Sequence, residues 1–169
     1  APGLIFDGRS IIISIASFLG GPITALITVT TAATYRIMLG GSGVVMGVGV
    51  IAESAIIGLV FFSLNKKCSW VKSYYGLYMF GMLVHAIMLM MMYLLPGGLV
   101  TEAFIKVAVP VIIIYPVATV ALSRFFFAQE ESVVASIQLK RSEQKYKELV
   151  EGANSVIMKW YPDGKIRFM

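Results

Sequence analysis

Long apolar runs occupy most of the chain, and a charged segment follows them. Only seven residues between Ser10 and Ser123 are Asp, Glu, Lys or Arg, whereas fourteen lie between Arg124 and Met169. About 20 apolar residues are needed to cross the hydrocarbon core of a bilayer. Three runs meet this requirement directly and predict transmembrane helices: Val44–Leu64, Tyr74–Leu95 and Thr101–Ser123. The pattern predicts a mainly α, polytopic transmembrane helix bundle.

The first apolar run, from Arg9 to Leu39, is interrupted by Gly20, Gly21 and Pro22. Proline at the first position of a helix is a start signal. We therefore expect a short helix over residues 10–19 and a second over 22–37, with the three interrupting residues as a hinge. A single long kinked helix is the alternative.

A different pattern begins at Arg124. No glycine or proline occurs from there to Glu151, so the segment is expected to be helical. Two short β-rich runs then flank Pro162-Asp163-Gly164, a sequence typical of a hairpin turn. The expected domains are a membrane region over 1–123, a signalling helix over 124–153 and the start of a β-containing domain over 154–169.

Composition and charge exclude several classes of protein. The chain is 58% hydrophobic and 14% charged, whereas soluble domains are about 25% charged. In such a protein Lys and Arg set orientation, so the net charge of +5 does not indicate nucleic-acid binding. Lys66, Lys67 and Lys72 predict a cytoplasmic loop, and two helices later the C-terminal segment falls on the same side. A multi-pass membrane protein with a cytoplasmic C-terminal segment is expected.

Intramembrane ionisable residues are candidates for function. Glu53 lies at the centre of its predicted helix, and Arg36 is the obvious partner near the outer end of the preceding one. The pair would either clamp two helices together or line a ligand pocket, and the sequence leaves both open. His85 lies within a span that has no other charge, and would serve either as a hydrogen-bonded packing residue or in ligand or proton sensing.

Asp7 and Arg9 flank the start of the first helix, where they would cap and anchor it or belong to a site. No nucleophile with a base, phosphate-binding glycine loop or metal-ligand cluster is evident, and the single cysteine, Cys68, has no partner. We therefore expect no catalytic residue, no metal and no cofactor in this segment.

Three elements occur in a recognisable order: Phe6-Asp7-Gly8-Arg9-Ser10, then Gly20-Gly21-Pro22, then Tyr35-Arg36 followed by Gly40-Gly41. This order resembles the five-transmembrane receptor domain of the LytS–YhcK type, over about Leu4–Phe127. The resemblance implies that Asp7, Arg9, Arg36, Gly40 and Gly41 occupy the positions of the family pattern. It also implies a membrane domain that perceives a small molecule or a state of the cell envelope.

The segment Arg141–Met169 resembles the entry of a PAS domain, in Arg141-Ser142-Glu143, in Tyr146 and in Asp163-Gly164. Together the two resemblances imply a bacterial receptor, expected to be truncated at both ends and homodimeric in the lipid bilayer. It would relay its signal through PAS to a histidine kinase and its response regulator, or to a diguanylate cyclase. A small-molecule transporter subunit is the alternative from another class.

Overall fold

The structure, a computed structural model, describes residues 8–41, 43–92, 100–152, 158–160 and 166–168, without the side chains of 100–103, 105–107, 158–160 and 166–168. Its elements are α1 (Arg9–Leu39), α2 (Val44–Asn65), a 3₁₀ helix (Ser69–Lys72), α3 (Tyr74–Met91), α4 (Val100–Gly152), β1 (Met158–Trp160) and β2 (Ile166–Phe168). Two compact units divide the chain, Ala1–Phe125 and Phe126–Met169. The predicted division into three domains stays a prediction.

Helix α1 is broken at Gly21, whose backbone has φ 69° and ψ −159°. Ile13 and the stretch from Val29 to Ala33 pack around the same part of α2, at Ile51 and Ala55. In a straight helix Ile13 and Ala33 would lie about 30 Å apart. The chain therefore turns back at Gly21, and α1 consists of a first arm (residues 9–20) and a second arm (residues 22–39).

The predicted interruption of the first run is thus confirmed, and the break is sharper than the alternative of one kinked helix implies. The positive φ of Gly21 is a conformation that a residue with a Cβ atom rarely adopts. Pro22, which lacks a backbone N–H, begins the second arm without losing a helical hydrogen bond. Gly21 also lies against the ring of Phe62, so the turn is packed on α2.

Small residues let α1 approach α2 closely. A Cβ atom added to Gly58 would lie 2.5 Å from the carbonyl oxygen of Ser14 and 2.7 Å from Cβ of Ser17. One turn further along, the rings of Phe18, Phe61 and Phe80 meet, with centroids 4.7–6.3 Å apart. Small residues in transmembrane helices commonly allow such close backbone contact.

Helices α3 and α4 pack antiparallel. Gly81 lies against Pro116 and Thr119, where an added Cβ would be 2.8 Å from Cα of Pro116. At the other end of the contact, a buried cluster joins α2, the end of α3 with the residue that follows it, and α4: Met46, Met88, Leu89, Met92, Ala108 and Val111. This part of α4 therefore belongs to the helix bundle.

The outside of the bundle is apolar. Large side chains such as Ile23, Val45, Met79 and Ile113 are more than half exposed. Among the residues that the structure describes, four helices are long and apolar enough to cross a membrane: α1, α2, α3 and the part of α4 from Ala108. This confirms the prediction of a mainly α, multi-pass membrane protein.

The second unit contains the charged part of α4 and a small β-sheet. Its helix is exposed from Ala128 to Gly152 and carries i,i+4 contacts such as Lys147–Glu151, 3.7 Å apart. Strands β1 and β2 pair antiparallel, with Lys159 opposite Arg167. The turn predicted at Pro162-Asp163-Gly164 lies outside the described residues.

Candidate functional site

Arg36 lies in the last turn of the second arm and is 2% exposed. Its side chain crosses Gly47 of α2, where an added Cβ would be 2.5 Å from Nε and 3.0 Å from Cδ. The absence of a side chain at Gly47 therefore creates the space for the guanidinium stem.

The glycines that follow Arg36 form a turn with positive φ, 65° at Gly40 and 90° at Gly41. Nη1 of Arg36 donates a hydrogen bond of 3.2 Å to the carbonyl oxygen of Gly40. Arg36 thus holds the turn that joins α1 to α2, and three positions of the sequence prediction lie together here.

Arg9 is the first residue of α1 and is half-buried. It opens the first arm, whose next residue, Ser10, is 2% exposed. Asp7, the remaining predicted residue at this end of the helix, lies outside the described residues.

Glu53 lies in the middle of α2 and is 8% exposed. Within the described part of the chain, neither of its carboxylate oxygens has a hydrogen-bond partner, and the buried hydroxyl of Ser54 has none either. The expected pair between Glu53 and Arg36 is therefore not formed, because the guanidinium is held at Gly47 and Gly40 instead. A buried carboxylate without a partner is costly, which keeps Glu53 a candidate for function.

His85, 1% exposed, connects three helices. Its Nδ1 lies 2.6 Å from the carbonyl oxygen of Gly81 on α3, and its Nε2 lies 3.3 Å from Oγ of Ser10 on the first arm. Its ring lies nearly perpendicular to that of Tyr115 of α4, with centroids 5.0 Å apart. We call His85, Ser10, Gly81 and Tyr115 the histidine node.

The tautomer of His85 follows from its partners. A carbonyl oxygen can only accept, so Nδ1 carries the hydrogen that is donated to Gly81. In the neutral ring Nε2 then accepts a hydrogen bond from the hydroxyl of Ser10. Ser10 directly follows Arg9, so His85 contacts the start of the first arm on one side and Tyr115 of α4 on the other.

The sequence prediction missed Ser10, Gly81 and Tyr115. Ser10 lies 75 residues from His85, and no spacing rule connects positions so far apart. Gly81 lies four residues before His85 on the same helix, and this i,i+4 spacing was the only local sign that the two residues are neighbours.

Two of the predicted residues, Arg9 and Arg36, carry groups that recognise anions. Guanidinium groups bind carboxylates and phosphates in a planar, bidentate geometry, and Arg9 and Arg36 supply two of them. Among the described residues, no group of three His, Cys, Asp or Glu side chains is placed to hold a metal ion.

The chain matches one protein family. The model of the family described as the 5TMR of 5TMR-LYT matches residues 1–126. No curated protein and no solved structure matches the chain. The match covers most of the chain and coincides with the helix bundle that contains Arg36, Glu53 and His85. The chain therefore belongs to the 5TMR of 5TMR-LYT family, whose domain is a membrane receptor domain.

Proposed function

We propose that this chain is the signal-sensing region of a bacterial inner-membrane receptor that relays its signal to a histidine kinase. The signal is a small molecule or an envelope state perceived among Asp7, Arg9, Arg36, Gly40, Gly41, Glu53 and His85. The receptor acts as a homodimer with its C-terminal segment in the cytoplasm, and its output reaches a response regulator.

One observation carries this proposal: α4 is a single helix that begins in the apolar bundle and continues into a charged, exposed segment. Tyr115, on the apolar part of α4, contacts His85 of the histidine node. A transporter has little use for such a charged continuation of a bundle helix, whereas a receptor needs one to transmit a change. Membership of a receptor family supports the same conclusion.

The relay requires two arrangements of the bundle that differ in free energy by a few kcal/mol. A ligand that binds one arrangement better shifts the population toward it by its difference in affinity. The first arm is the part that we expect to move, because it hinges at Gly20, Gly21 and Pro22. Its motion would reach α4 through Ser10 and His85.

A helix-phase experiment tests the relay. One alanine inserted between Gln138 and Leu139 turns the downstream helix by about 100°, whereas seven alanines restore its phase to within about 20°. We expect the one-residue insertion to fix kinase output, measured as phosphorylation of the response regulator, and the seven-residue insertion to keep the response. Equal output from both insertions would contradict a relay through α4.

The contribution of Arg36 to ligand binding is tested with variants and a set of anionic compounds. A panel of small carboxylic acids and organic phosphates is applied to a reporter strain that carries wild-type protein, Arg36→Gln or the exposed control Arg141→Gln. The proposal expects a response in the wild type and in the control, and its loss in Arg36→Gln. A response that survives in Arg36→Gln would remove this residue from the site.

Further observations distinguish the kinase from a diguanylate cyclase and from a bundle that only anchors the protein. The pairing of β1 with β2 and the resemblance to a PAS entry support an onward cytoplasmic domain. The gene sequence beyond the codon for Met169 would then show a phospho-acceptor histidine helix for a kinase, or a Gly-Gly-Asp-Glu-Phe type segment for a diguanylate cyclase. If the bundle served only as an anchor, deleting the residues before Arg124 would leave the response intact.

A further inference from the structure

A groove on the outside of the bundle runs between the start of α3 and the middle of α4. Its volume is about 450 Å³, and its lining surface is apolar. From α3 it is lined by Tyr74, Tyr75 and Tyr78, and from α4 by Val117, Val120, Ala121 and Arg124. The α4 residues repeat at three- and four-residue intervals, so they form one stripe of the helix.

This groove lies where the membrane ends. No charged residue occurs between Lys106 and Arg124, so Arg124 is the first charge after the apolar part of α4. Tyrosines are enriched at the boundary between hydrocarbon and headgroups, and three of them line the α3 side. The groove therefore extends from the headgroup level, at Arg124 and Tyr74, into the hydrocarbon at Val117.

Arg124 is held at the mouth of the groove. Its guanidinium carbon lies 4.9 Å from the centroid of the Tyr74 ring, a cation–π contact. The groove lining contains no acidic residue, so the positive charge of Arg124 faces the headgroup region uncompensated within the groove. The apolar groove matches the acyl chain of an anionic phospholipid, and the cation beside it matches the phosphate.

We propose that this groove is a binding site for one anionic phospholipid. An acyl chain lies along Tyr78, Val117 and Val120, and the phosphate binds the guanidinium of Arg124. The binding is non-covalent, and it is independent of which ligand or output the receptor has. Charge complementarity selects the anionic lipid, since a zwitterionic headgroup carries no net charge toward Arg124.

Native mass spectrometry of the purified chain tests this site. The protein is equilibrated with equimolar phosphatidylglycerol and phosphatidylcholine of identical acyl chains, and the retained lipids are counted. We expect about fivefold more phosphatidylglycerol than phosphatidylcholine on the wild type, because one basic residue near the membrane surface contributes about that factor. Arg124→Gln should bring the ratio close to one, and Lys140→Gln, a change in the exposed part of α4, should leave it unchanged.

A second pair of variants tests the groove itself. Val117→Trp fills the groove, whereas Val109→Trp places the same side chain at a similarly exposed position of α4 outside it. We expect a loss of retained lipid only in Val117→Trp. Equal retention of both lipids by the wild type, or equal effects of the two charge variants, would overturn the proposal. So would a change in the monomer–dimer ratio of Val117→Trp without loss of lipid, since a second copy of the chain would then be the occupant.

Discussion

The contact between α1 and α2 at Gly58 gives a quantitative test of the bundle. In Gly58→Ala the new methyl group would lie 2.5 Å from the Ser14 carbonyl oxygen and 3.2 Å from the Phe18 backbone nitrogen. Comfortable non-bonded separations are about 3.5–4.0 Å, so the helices must move apart by about 1 Å. Backbone atoms cannot rotate away as a flexible side chain would.

The expected loss of stability follows from two opposing terms. Overpacking of a tight contact costs about 1–3 kcal/mol, and the rigid backbone here places the cost near the upper end. Alanine favours a helix over glycine by up to about 1 kcal/mol. A net loss of about 2 kcal/mol is expected, which raises the unfolded fraction about thirtyfold.

The assay is unfolding of the purified chain by SDS in mixed micelles, followed by far-UV circular dichroism. Gly152→Ala is the matched control, because nothing lies within 4 Å of its added Cβ. We expect Gly58→Ala to unfold at a clearly lower SDS fraction, and Gly152→Ala to unfold at or slightly above the wild-type fraction. If Gly58→Ala unfolded with the control, the close approach of α1 to α2 would be refuted.

Three further variants probe the site and the turn by the same titration. Gly47→Ala displaces the Arg36 side chain rather than backbone atoms. The free energy of unfolding should therefore fall by about 1 kcal/mol, the contribution of one hydrogen bond. No loss would show that the guanidinium does not lie against Gly47. His85→Phe keeps an aromatic ring but removes both ring hydrogen bonds, so the free energy of unfolding should fall by about 1–2 kcal/mol. Ser10→Ala added to His85→Phe should then have little further effect. Fully additive losses would contradict the hydrogen bond between Ser10 and His85. Gly21→Ala forces a Cβ onto the positive φ and extended ψ of Gly21, a region that is essentially restricted to glycine. This should cost about 1–3 kcal/mol for the backbone alone, and wild-type stability would argue against the turn.

The position of His85 shows the limit of reading the chain alone. Its burial in an apolar span was evident from the sequence, and a hydrogen-bonded packing role was one of two interpretations. Its partner Ser10 was not evident, because the bond depends on how the first arm folds back and packs. For His85 the sequence missed a contact that exists, whereas for Glu53 it suggested one that does not. Proximity in sequence suggested a pair with Arg36 that the packing does not form.

The sequence by itself determined the class of protein and the position of its breaks. Apolar length sets which segments can enter a bilayer, and Gly20, Gly21 and Pro22 interrupt a helix through local backbone chemistry. The tertiary structure decided that the chain reverses at Gly21, that Gly47 makes room for Arg36 and that His85 joins α1, α3 and α4. These features depend on which helix faces which, a balance of many small packing contacts that no local pattern along the chain encodes.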